Sequence, residues 1–396
     1  MESPLVSVFI PYYNDKDFIA DAIKSCLSQT YQNWELFLFN HASTDGSREI
    51  AHSFDDPRIR HIDAAENLGA GSGYNLKITL PMMNGKYAKL LCADDMMLPI
   101  CLQRFVDYME NNQEKDFAFS DMDYVDEKGK KLNTKWSLEK YGVNFDNDEK
   151  ETLKLFFRGY SHLAYPTSFI KKAFLKKLDI NETFIMLFDV SLWVDALCKG
   201  GKIGFVKEST VLYRCSGKQM SSVKNATIAS KRGYFELFKL SEYYFKIKNV
   251  SMVKHICPSD FAQSLSQEDE EFIPFVLADF WLNAYHCINY YCDQVETRII
   301  VGYQKLFDLM ENEAERKKIE QRFGFKISDF RALYSYLPPE KSLSVTQRIL
   351  LKPGKKLSLM QLLYLLARKI ARFPLHLFLK KHNDEKTEKK QSKYTV

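Results

Sequence analysis

Two adjacent carboxylates follow an apolar run in the stretch "KLLCADDMMLP", Lys89 to Pro99. Asp94 and Asp95 repel each other at such a position and lose hydration, which costs stability unless a cation or ligand is present. A divalent ion removes that cost, and Mg²⁺ is commonly held by one or two carboxylates together with substrate phosphates. The alternative is a pair of exposed acids at the start of the next helix. The pair alone leaves both interpretations open.

The residues around this pair alternate between strand-like and helix-like patterns. β-branched and aromatic runs predict strands over 6–10, 34–40, 59–63 and 86–93, with helical spacing between them. Strands that alternate with helices form a mostly parallel sheet, and ligands bind beyond its carboxyl ends. We therefore expect one crevice to gather the polar residues that follow predicted strands, which are Asn40, His41, Asp94, Asp95 and Asp121.

The composition is that of a soluble globular protein. The chain has 396 residues, 45% of them hydrophobic and 27% charged, a length typical of two or three domains. Its eight Cys residues show no C-x-x-C spacing, which favours a reducing cytoplasm. The start "MESPLVSVFIPYYND" lacks the basic segment of a signal peptide. No uncharged apolar stretch is long enough to span a bilayer.

The pattern changes to helical periodicity in the second half of the chain. We predict an α/β domain over 1–222, a helical domain over 223–350, a basic amphipathic helix over 351–382 and a disordered tail over 383–396. The aromatic stripe at 276–291 favours a helix core or a helix–helix interface, and such an interface would support a homo-oligomer.

The C-terminal segment is strongly basic. From Lys352 to Val396 there are 12 Lys and Arg against 3 Asp and Glu, whereas the rest of the chain has 44 against 48. Cations on both sides of the apolar stretch 357–367 favour contact with a membrane surface over a helix packed on the protein. The rest of the chain has no motif of interleaved basic and aromatic residues, so nucleic-acid binding is not expected.

Six stretches, in order along residues 5–222, resemble the motifs of the family 2 glycosyltransferases of bacterial surface-polysaccharide type. They are "VSVFIPYYND", "SCLSQTYQNWELFLFNHASTDGS", "NLGAGSGYN", "GKYAKLLCADDMMLP", "FDVSLWVDALCKGGKIGFV" and "VLYRCSGKQMSS". Each motif is weak by itself, whereas six in register are a strong signal. The resemblance implies an α/β fold of the GT-A (Rossmann-like) type, with a mostly parallel nucleotide-sugar-binding sheet and then a mainly α-helical domain.

The resemblance also implies site residues. Asp94 and Asp95 match the family's acidic motif, which binds ribose and the Mn²⁺ or Mg²⁺ ion on the diphosphate; which of the two is the direct ligand stays open. Asp189 in "LFDVSLW" matches the catalytic base, although an acid at a helix start is also a common N-cap. Arg214 and Lys218 are cations that could offset diphosphate charge. The positions that match nucleotide-binding residues are Pro11, Tyr12, Tyr13, Asn14, Asn40, His41, Asn75 and Asp94.

Three positions depart from the common pattern of the family. Asn40-His41 replaces a frequent Asp-Asp, and a neutral His can still donate to or accept from a pyrimidine edge. Cys92 replaces the first Asp of the usual Asp-x-Asp, and Ser216 stands where many relatives carry a His. We therefore expect a metal site with few protein ligands, completed by water and diphosphate.

The resemblance and the residues together predict an inverting, metal-dependent hexosyltransferase. It would move a sugar from a nucleotide-diphosphate sugar, with UDP favoured, to a hydroxyl of a glycan or lipid-linked acceptor in surface polysaccharide assembly. The acceptor hydroxyl needs a base on the opposite face of the sugar, and an external base implies inversion. We expect the protein in the cytoplasm, at the inner face of the membrane. The alternative is a catalytically silent scaffold of the same fold that recruits partner enzymes there.

Overall fold

The computed structural model describes residues 3–67, 69, 71–136, 149–159, 163–216, 226–283 and 293–333. The chain forms two compact units, Met1–Ile327 and Ser328–Val396. The first unit contains the sheet and the candidate site. The predicted segments 351–382 and 383–396 and the predicted boundary at 222–223 lie outside the described residues.

The described part of the chain contains one sheet of nine strands. In chain order they are β1 (Val6–Tyr12), β2 (Trp34–Asn40), β3 (Ile59–Asp63), β4 (Tyr87–Leu90), β5 (Met96–Met97), β6 (Phe117–Val125), β7 (Lys131–Trp136), β8 (Ser168–Lys171) and β9 (Ile203–Arg214). Their order across the sheet is β3-β2-β1-β4-β8-β6-β9-β5, and β7 pairs with β6.

α-Helices connect most of these strands and predominate in the described residues after β9. They are α1 (Ile19–Leu27), α2 (Ser47–His52), α3 (Ser72–Thr79), α4 (Cys101–Asn111), α5 (Glu149–Phe157), α6 (Lys172–Leu175), α7 (Phe188–Cys198), α8 (Ala226–Ser241), α9 (Val250–Ile256), α10 (Asp260–Ser264), α11 (Ile273–Asn283), α12 (Asp293–Glu311), α13 (Glu313–Phe323) and α14 (Ile327–Leu333). Short 3₁₀ segments occur at Leu80–Met82, Tyr165–Thr167, Glu242–Lys246 and Glu270–Phe272.

The sheet is parallel where the first motifs lie. β1 runs parallel to β2 and β4, and β2 runs parallel to β3, because a helix crosses back between successive strands. The register places Tyr12 opposite Asn40, and Asn40 opposite Asp63. Three neighbouring strands therefore end at one edge, as the alternating pattern predicts.

The other half of the sheet mixes both directions. β6 and β9 are parallel, whereas β8 is antiparallel to both β4 and β6. The two-residue strand β5 pairs antiparallel with the end of β9, with Met96 opposite Leu212. The sequence does not indicate β5, because two residues are too few for a periodic pattern. This short pairing brings the Asp94-Asp95 turn next to the end of β9.

Among the residues predicted to line the crevice, Asp121 is the one that lies in the interior of a strand. It lies inside β6, which continues to Val125, and its register with β9 shifts at this position. The prediction that Asp121 lies at a strand end is therefore wrong. The strand continues past it because Met122 and Val125 are buried apolar residues on the same run.

A buried lysine links the central strand to the segment before β8. Lys89 in β4 is fully buried, and its Nζ donates to the backbone carbonyls of Leu90, Pro166 and Ser168. These bonds satisfy all three donors of the ammonium, which is the condition for burying a charge at tolerable cost. The segment that carries Tyr165 is thereby fixed beside β4.

The described residues after 225, which are 226–283 and 293–333, are mainly helical, as predicted. Val276, Phe280 and Trp281 of the aromatic stripe are buried, which agrees with the core interpretation for this part of it. Trp281 packs against the rings of Phe157 and Tyr244, at centroid distances of 5.7 and 6.0 Å. Within the described ranges, no helix combines the length and apolar character needed to cross a membrane.

Candidate active site

The loops that follow β1 and β2 hold each other through side-chain hydrogen bonds. The backbone N–H of Asn14 donates to Ser43 Oγ at 3.1 Å, and the N–H of Thr44 donates to Asn14 Oδ1 at 2.8 Å. Asn14 has φ 56°, a left-handed conformation that Asn tolerates better than most residues. The two predicted nucleotide loops therefore form one linked surface.

The buried side chain of Asn40 stabilises this surface from the protein interior. It is 2% exposed, its Nδ2 donates to Asp63 Oδ1 at 2.9 Å, and its Oδ1 accepts from the N–H of Ser43 at 2.9 Å. Arg48 holds the other oxygen of Asp63 at 2.9 Å. Both polar atoms of the Asn40 side chain form hydrogen bonds within the protein, so Asn40 stabilises the loop after β2.

His41 lies within an aromatic cluster at the same edge. Its ring stacks on Tyr74 with a centroid distance of 6.1 Å and an interplanar angle of 16°, and it meets the edge of Phe39 at 6.2 Å. Burial lowers the pKa of His41, so the imidazole is neutral at neutral pH. A neutral ring offers one donor and one acceptor. Tyr74 was not predicted as a site residue, although it adjoins Asn75 in the same motif.

The other predicted nucleotide residues differ in exposure. Pro11 and Tyr12 end β1, and the buried Tyr12 hydroxyl has no hydrogen-bond partner among the described residues. Tyr13 is 46% exposed and is free to stack on a ligand. Asn75 on α3 is 3% exposed, and its Oδ1 is buried without a partner within the described ranges.

Two glycines allow α3 to approach the start of α7 closely. Gly71 has φ +117°, and a Cβ there would lie 3.3 Å from the carbonyl oxygen of Phe184. A Cβ on Gly73 would lie 2.9 Å from the ring of Phe188. Any larger residue at either position would push apart the segments that carry Asn75 and Asp189.

The Asp94-Asp95 turn carries an unsatisfied carboxylate oxygen. Asp95 is 1% exposed; its Oδ1 accepts from the N–H of Arg214 at 2.9 Å, and its Oδ2 is buried with no partner in the described part of the chain. Burial and the neighbouring charge of Asp94 raise the pKa of Asp95 well above its usual range. An orphaned acid of this kind needs either a proton or a cation.

Arg214 holds the backbone of this turn. It is the last residue of β9 and is 1% exposed. Its Nε donates to the carbonyl oxygen of Asp94 at 2.8 Å, and its guanidinium also reaches the carbonyl oxygen of Glu127 at 2.6 Å and Asp21 Oδ2 at 2.9 Å. The contacts of Arg214 are those of a residue that positions Asp94 and Asp95. Lys218 lies outside the described residues, and direct contact of either cation with a diphosphate stays a prediction.

Cys92, Asp94 and Asp95 together could hold a metal ion. One ligand atom from each lies within 4.8 Å of the others. Carboxylate oxygens suit Mg²⁺ and Mn²⁺, and the partnerless Oδ2 of Asp95 provides a free ligand atom. The thiol of Cys92 is a softer donor beside these oxygens, and the residues present fit a divalent ion.

Asp189 lies in the first turn of α7, as its second residue. The helix N-cap is Leu187, so the N-cap interpretation of Asp189 is wrong; its Oδ1 instead accepts the N–H of Val190 at 2.8 Å. Burial raises the pKa of Asp189 to about 6. A carboxylate with that pKa is ionised at neutral pH and accepts a proton more readily than an ordinary Asp.

The predicted acids converge around Cys92. Burial and the charges of Asp95, Asp94, Asp189 and Asp15 raise the pKa of the Cys92 thiol well above its usual range. Asp15 belongs to the loop after β1, so this convergence joins the nucleotide loops to the acid cluster. Sequence analysis missed Tyr165, a buried residue whose raised pKa also reflects the charges of Cys92 and Asp189. No local pattern marks it, since its place depends on Lys89 and β8.

Several known proteins are similar to this chain in sequence. Residues 7–178 match the family model described as glycosyl transferase family 2. An uncharacterised glycosyltransferase of Methanocaldococcus jannaschii is 30% identical over 264 residues, 65% of this chain and 83% of that protein. The putative teichuronic acid biosynthesis glycosyltransferase TuaG of Bacillus subtilis is 27% identical over 246 residues, 61% of this chain and 90% of that protein.

A solved structure shares the fold. Residues 1–349 of Staphylococcus aureus TarS, in complex with UDP-GlcNAc, superpose with a TM-score of 0.51 at 14% identity over 80% of this chain and 91% of that one. The predicted GT-A fold with a helical C-terminal region is confirmed. From the family match, the extent of the relatives and the shared fold, we conclude that this chain belongs to glycosyl transferase family 2.

Proposed function

We propose that the chain is an inverting, metal-dependent hexosyltransferase that uses a UDP-sugar and glycosylates a hydroxyl of a glycan or lipid-linked acceptor. One observation carries the proposal: three acids from two distant parts of the chain, Asp94, Asp95 and Asp189, lie around Cys92 beside the nucleotide loops. The pair of acids would provide a cation site, and the single acid with a raised pKa would provide a base.

The acid pair serves the donor. Asp94 and Asp95, with Cys92 adjacent, would hold Mn²⁺ or Mg²⁺, and the ion would stabilise negative charge on the departing diphosphate as a Lewis acid. The protein's own part is to keep the turn rigid through Arg214, whose backbone and side chain fix both aspartates. The linked loops at Asn14 and His41 would receive the nucleoside.

Asp189 serves the acceptor. As the acceptor oxygen forms its bond to the anomeric carbon, its proton passes to the Asp189 carboxylate. The bond from the anomeric carbon to the diphosphate oxygen breaks, and its electron pair leaves with the nucleoside diphosphate. Attack and departure occur on opposite faces in a single displacement, so the configuration at the anomeric carbon inverts.

The proposed substrate classes and location are supported by the relatives and by the distribution of charge along the chain. TuaG is named for teichuronic acid biosynthesis and TarS is solved with UDP-GlcNAc, which supports UDP-sugars and a surface polysaccharide acceptor. The excess of cations from Lys352 to Val396 supports action at the cytoplasmic face of the membrane.

A thermal-shift screen of UDP-, dTDP- and GDP-sugars, with and without Mn²⁺, tests the donor and the metal together. We expect UDP-sugars to raise the melting temperature only when Mn²⁺ is present, because the diphosphate would bind through the ion. A ligand that binds the folded state stabilises it, and tighter binding stabilises it more. Donor hydrolysis and the anomeric configuration of the product, followed by NMR, then test turnover and inversion. Stabilisation by UDP-sugars without any turnover on glycan or lipid-linked acceptors would favour the scaffold alternative.

Flotation with liposomes tests the membrane part by itself. The full chain and a chain that ends at residue 351 are mixed with vesicles containing anionic lipid. We expect the full chain to float and the shortened chain to stay behind, with salt weakening the binding. Equal flotation of both chains would remove the membrane part of the proposal and leave the chemistry intact.

A further inference from the structure

A carboxylate from the helical region binds the backbone just before the helix that carries Asp189. Glu236 on α8 is 3% exposed. Its Oε1 accepts from the N–H of Ile185 at 2.9 Å, and its Oε2 accepts from the N–H groups of Met186 and Leu187, both at 2.8 Å. Three consecutive backbone donors are thus satisfied by one side chain about 50 residues away along the chain.

Arg232 completes this arrangement one turn earlier on α8. Its Nε donates to Glu236 Oε1 at 2.7 Å, and its guanidinium also reaches the carbonyl oxygen of Thr183 at 3.2 Å. The carboxylate therefore has one cation and three backbone N–H groups as partners, and such charge-assisted hydrogen bonds are among the strongest in proteins. Arg232 and Glu236 fasten both ends of the segment 183–187 to α8.

The bound segment leads directly into α7. Leu187 is the N-cap of this helix, and no side chain of its own segment caps it. The first turn of a helix leaves backbone N–H groups without partners and carries partial positive charge, so an anion at that end is favourable. Glu236 supplies the anion from outside, and Asp189 is the second residue after the last N–H that it binds.

The same segment also contacts the nucleotide side of the site. Phe184 and Phe188 flank it and lie against Gly71 and Gly73 of the α3 region. A displacement of residues 184–188 would therefore move Asp189 relative to the donor. Rate depends strongly on such geometry, since a misplacement of about 1 Å can cost about a hundredfold.

We propose that Glu236 is a positioning residue for the base Asp189, so that the helical region completes the active site built on the sheet. Glu236 acts through the backbone at 185–187 and the start of α7, and not by contact with a reacting atom. The inference rests on the proposed function, because it assigns the role through Asp189.

The test is Glu236→Gln in the full chain, with Glu242→Gln as a matched control. Glutamine keeps the shape but replaces one acceptor oxygen with an NH₂ group that faces backbone donors. We expect kcat to fall about 10- to 100-fold while the dissociation constant for UDP with Mn²⁺ changes less than about twofold. Glu242 is exposed and forms an ion pair with the exposed Lys239, so its variant should keep wild-type kcat.

Two further measurements separate positioning from a general loss of structure. Amide exchange should accelerate at residues 185–187 in Glu236→Gln and stay unchanged in the sheet. The midpoint of the rising limb of kcat/KM against pH should shift below its wild-type value, because a loosened Asp189 becomes better hydrated. If Glu236→Gln does not fold, Arg232→Gln replaces it, with a smaller fall in kcat expected because the three backbone bonds remain.

Defined outcomes would overturn the inference. A folded Glu236→Gln enzyme with wild-type kcat and an unshifted pH profile would remove the positioning role, as would an equal loss of kcat and of donor affinity. For Arg232→Gln, wild-type kcat would count in the same way. A wild-type enzyme without any transferase activity would instead contradict the proposed function, so the two failures can be told apart.

Discussion

The Asp94-Asp95 turn and the first turn of α7 place the same type of side chain in two different environments. Asp95 has a carboxylate oxygen with no hydrogen-bond partner among the described residues and a second acid beside it, and burial together with that charge raises its pKa well above its usual range. Asp189 has no acid next to it in sequence, and burial alone raises its pKa to about 6. Only a cation or a proton relieves the pair, whereas the single acid can lose and regain a proton near neutral pH.

The two regions also differ in what holds them. Arg214 fixes the acid pair from β9, inside the same sheet, through the N–H and side-chain bonds to Asp95 and Asp94. Glu236 holds the start of α7 from a helix that lies beyond the sheet. The acid pair is therefore held from within the α/β part, whereas the start of α7 is held from the helical part.

Replacing Asp189 should have the largest effect on activity and tests whether the two regions have separate roles. In Asp189→Asn we expect kcat to fall about a thousandfold, because general-base catalysis contributes about 10²- to 10⁴-fold. UDP binding with Mn²⁺, measured by calorimetry, should stay within about twofold of wild type. Asp107→Asn, at an exposed acid hydrogen-bonded to Gln103, provides the control and should keep full activity. A parallel loss of UDP affinity in Asp189→Asn would contradict the separation of roles.

Replacing Asp95 should weaken UDP binding but stabilise the metal-free protein. In Asp95→Asn we expect metal-dependent UDP binding to weaken and turnover to fall about a hundredfold, since a ligand of the ion is lost. The metal-free protein should become more stable, because the buried acid repelled by Asp94 is removed. Calorimetry with Mn²⁺ and UDP and urea unfolding in chelator measure the two effects. Unchanged Mn²⁺ dependence would exclude Asp95 from the metal site.

The pKa of Asp189 predicts how the activity changes with pH. Because the base must be ionised, kcat/KM should fall about tenfold for each pH unit below about 6 and be flat above it. The profile is measured from pH 4.5 to 8 with acceptor and Mn²⁺ at fixed concentrations. A flat profile across pH 6 would contradict the assignment of Asp189 as the base.

The same pKa sets the sign of a stability effect. The folded protein binds the Asp189 proton more tightly than the unfolded chain, since the pKa rises from the usual 3.8 to about 6. Stability from this group is thus fully present below about pH 4 and is lost as the pH rises to about 6. Above pH 6, Asp189→Asn should be more stable than wild type by up to about 3 kcal/mol. Urea unfolding at pH 4 and pH 7 checks the difference, which should be near zero at the lower pH.

Replacing Cys92 should have the smallest effect on metal binding, because Asp94 and Asp95 both remain. Cys92→Asp should raise Mg²⁺ affinity about tenfold by adding a hard oxygen ligand. Cys92→Ser should lower the affinity for Cd²⁺ more than that for Mg²⁺, since the soft donor is lost. Metal titrations of both variants in the presence of UDP measure these shifts. Equal affinities in wild type and both variants would show that position 92 does not contact the ion.

Much of the fold follows from local patterns in the sequence. β2 and β3 occur at the residues that their β-branched and aromatic runs predict, 34–40 and 59–63. The helical region and the buried stripe at Val276 to Trp281 follow from periodicity as well. The short strand β5 and the interior position of Asp121 could not be predicted, because pairing with β9 decides both.

The sequence by itself determined the family, the alternation of strands and helices in the first half of the chain, and the candidate acids Asp94, Asp95 and Asp189, because motif spacing and hydrophobic periodicity are properties of neighbouring residues. Tertiary structure decided what those acids can do. Burial, the approach of Asp189 to Cys92, the bonds of Arg214 and the contacts of Glu236 all join residues far apart in the chain. The pKa of a carboxyl group depends on its burial and on the charges and hydrogen bonds around it. Residues that are distant in the sequence provide these surroundings.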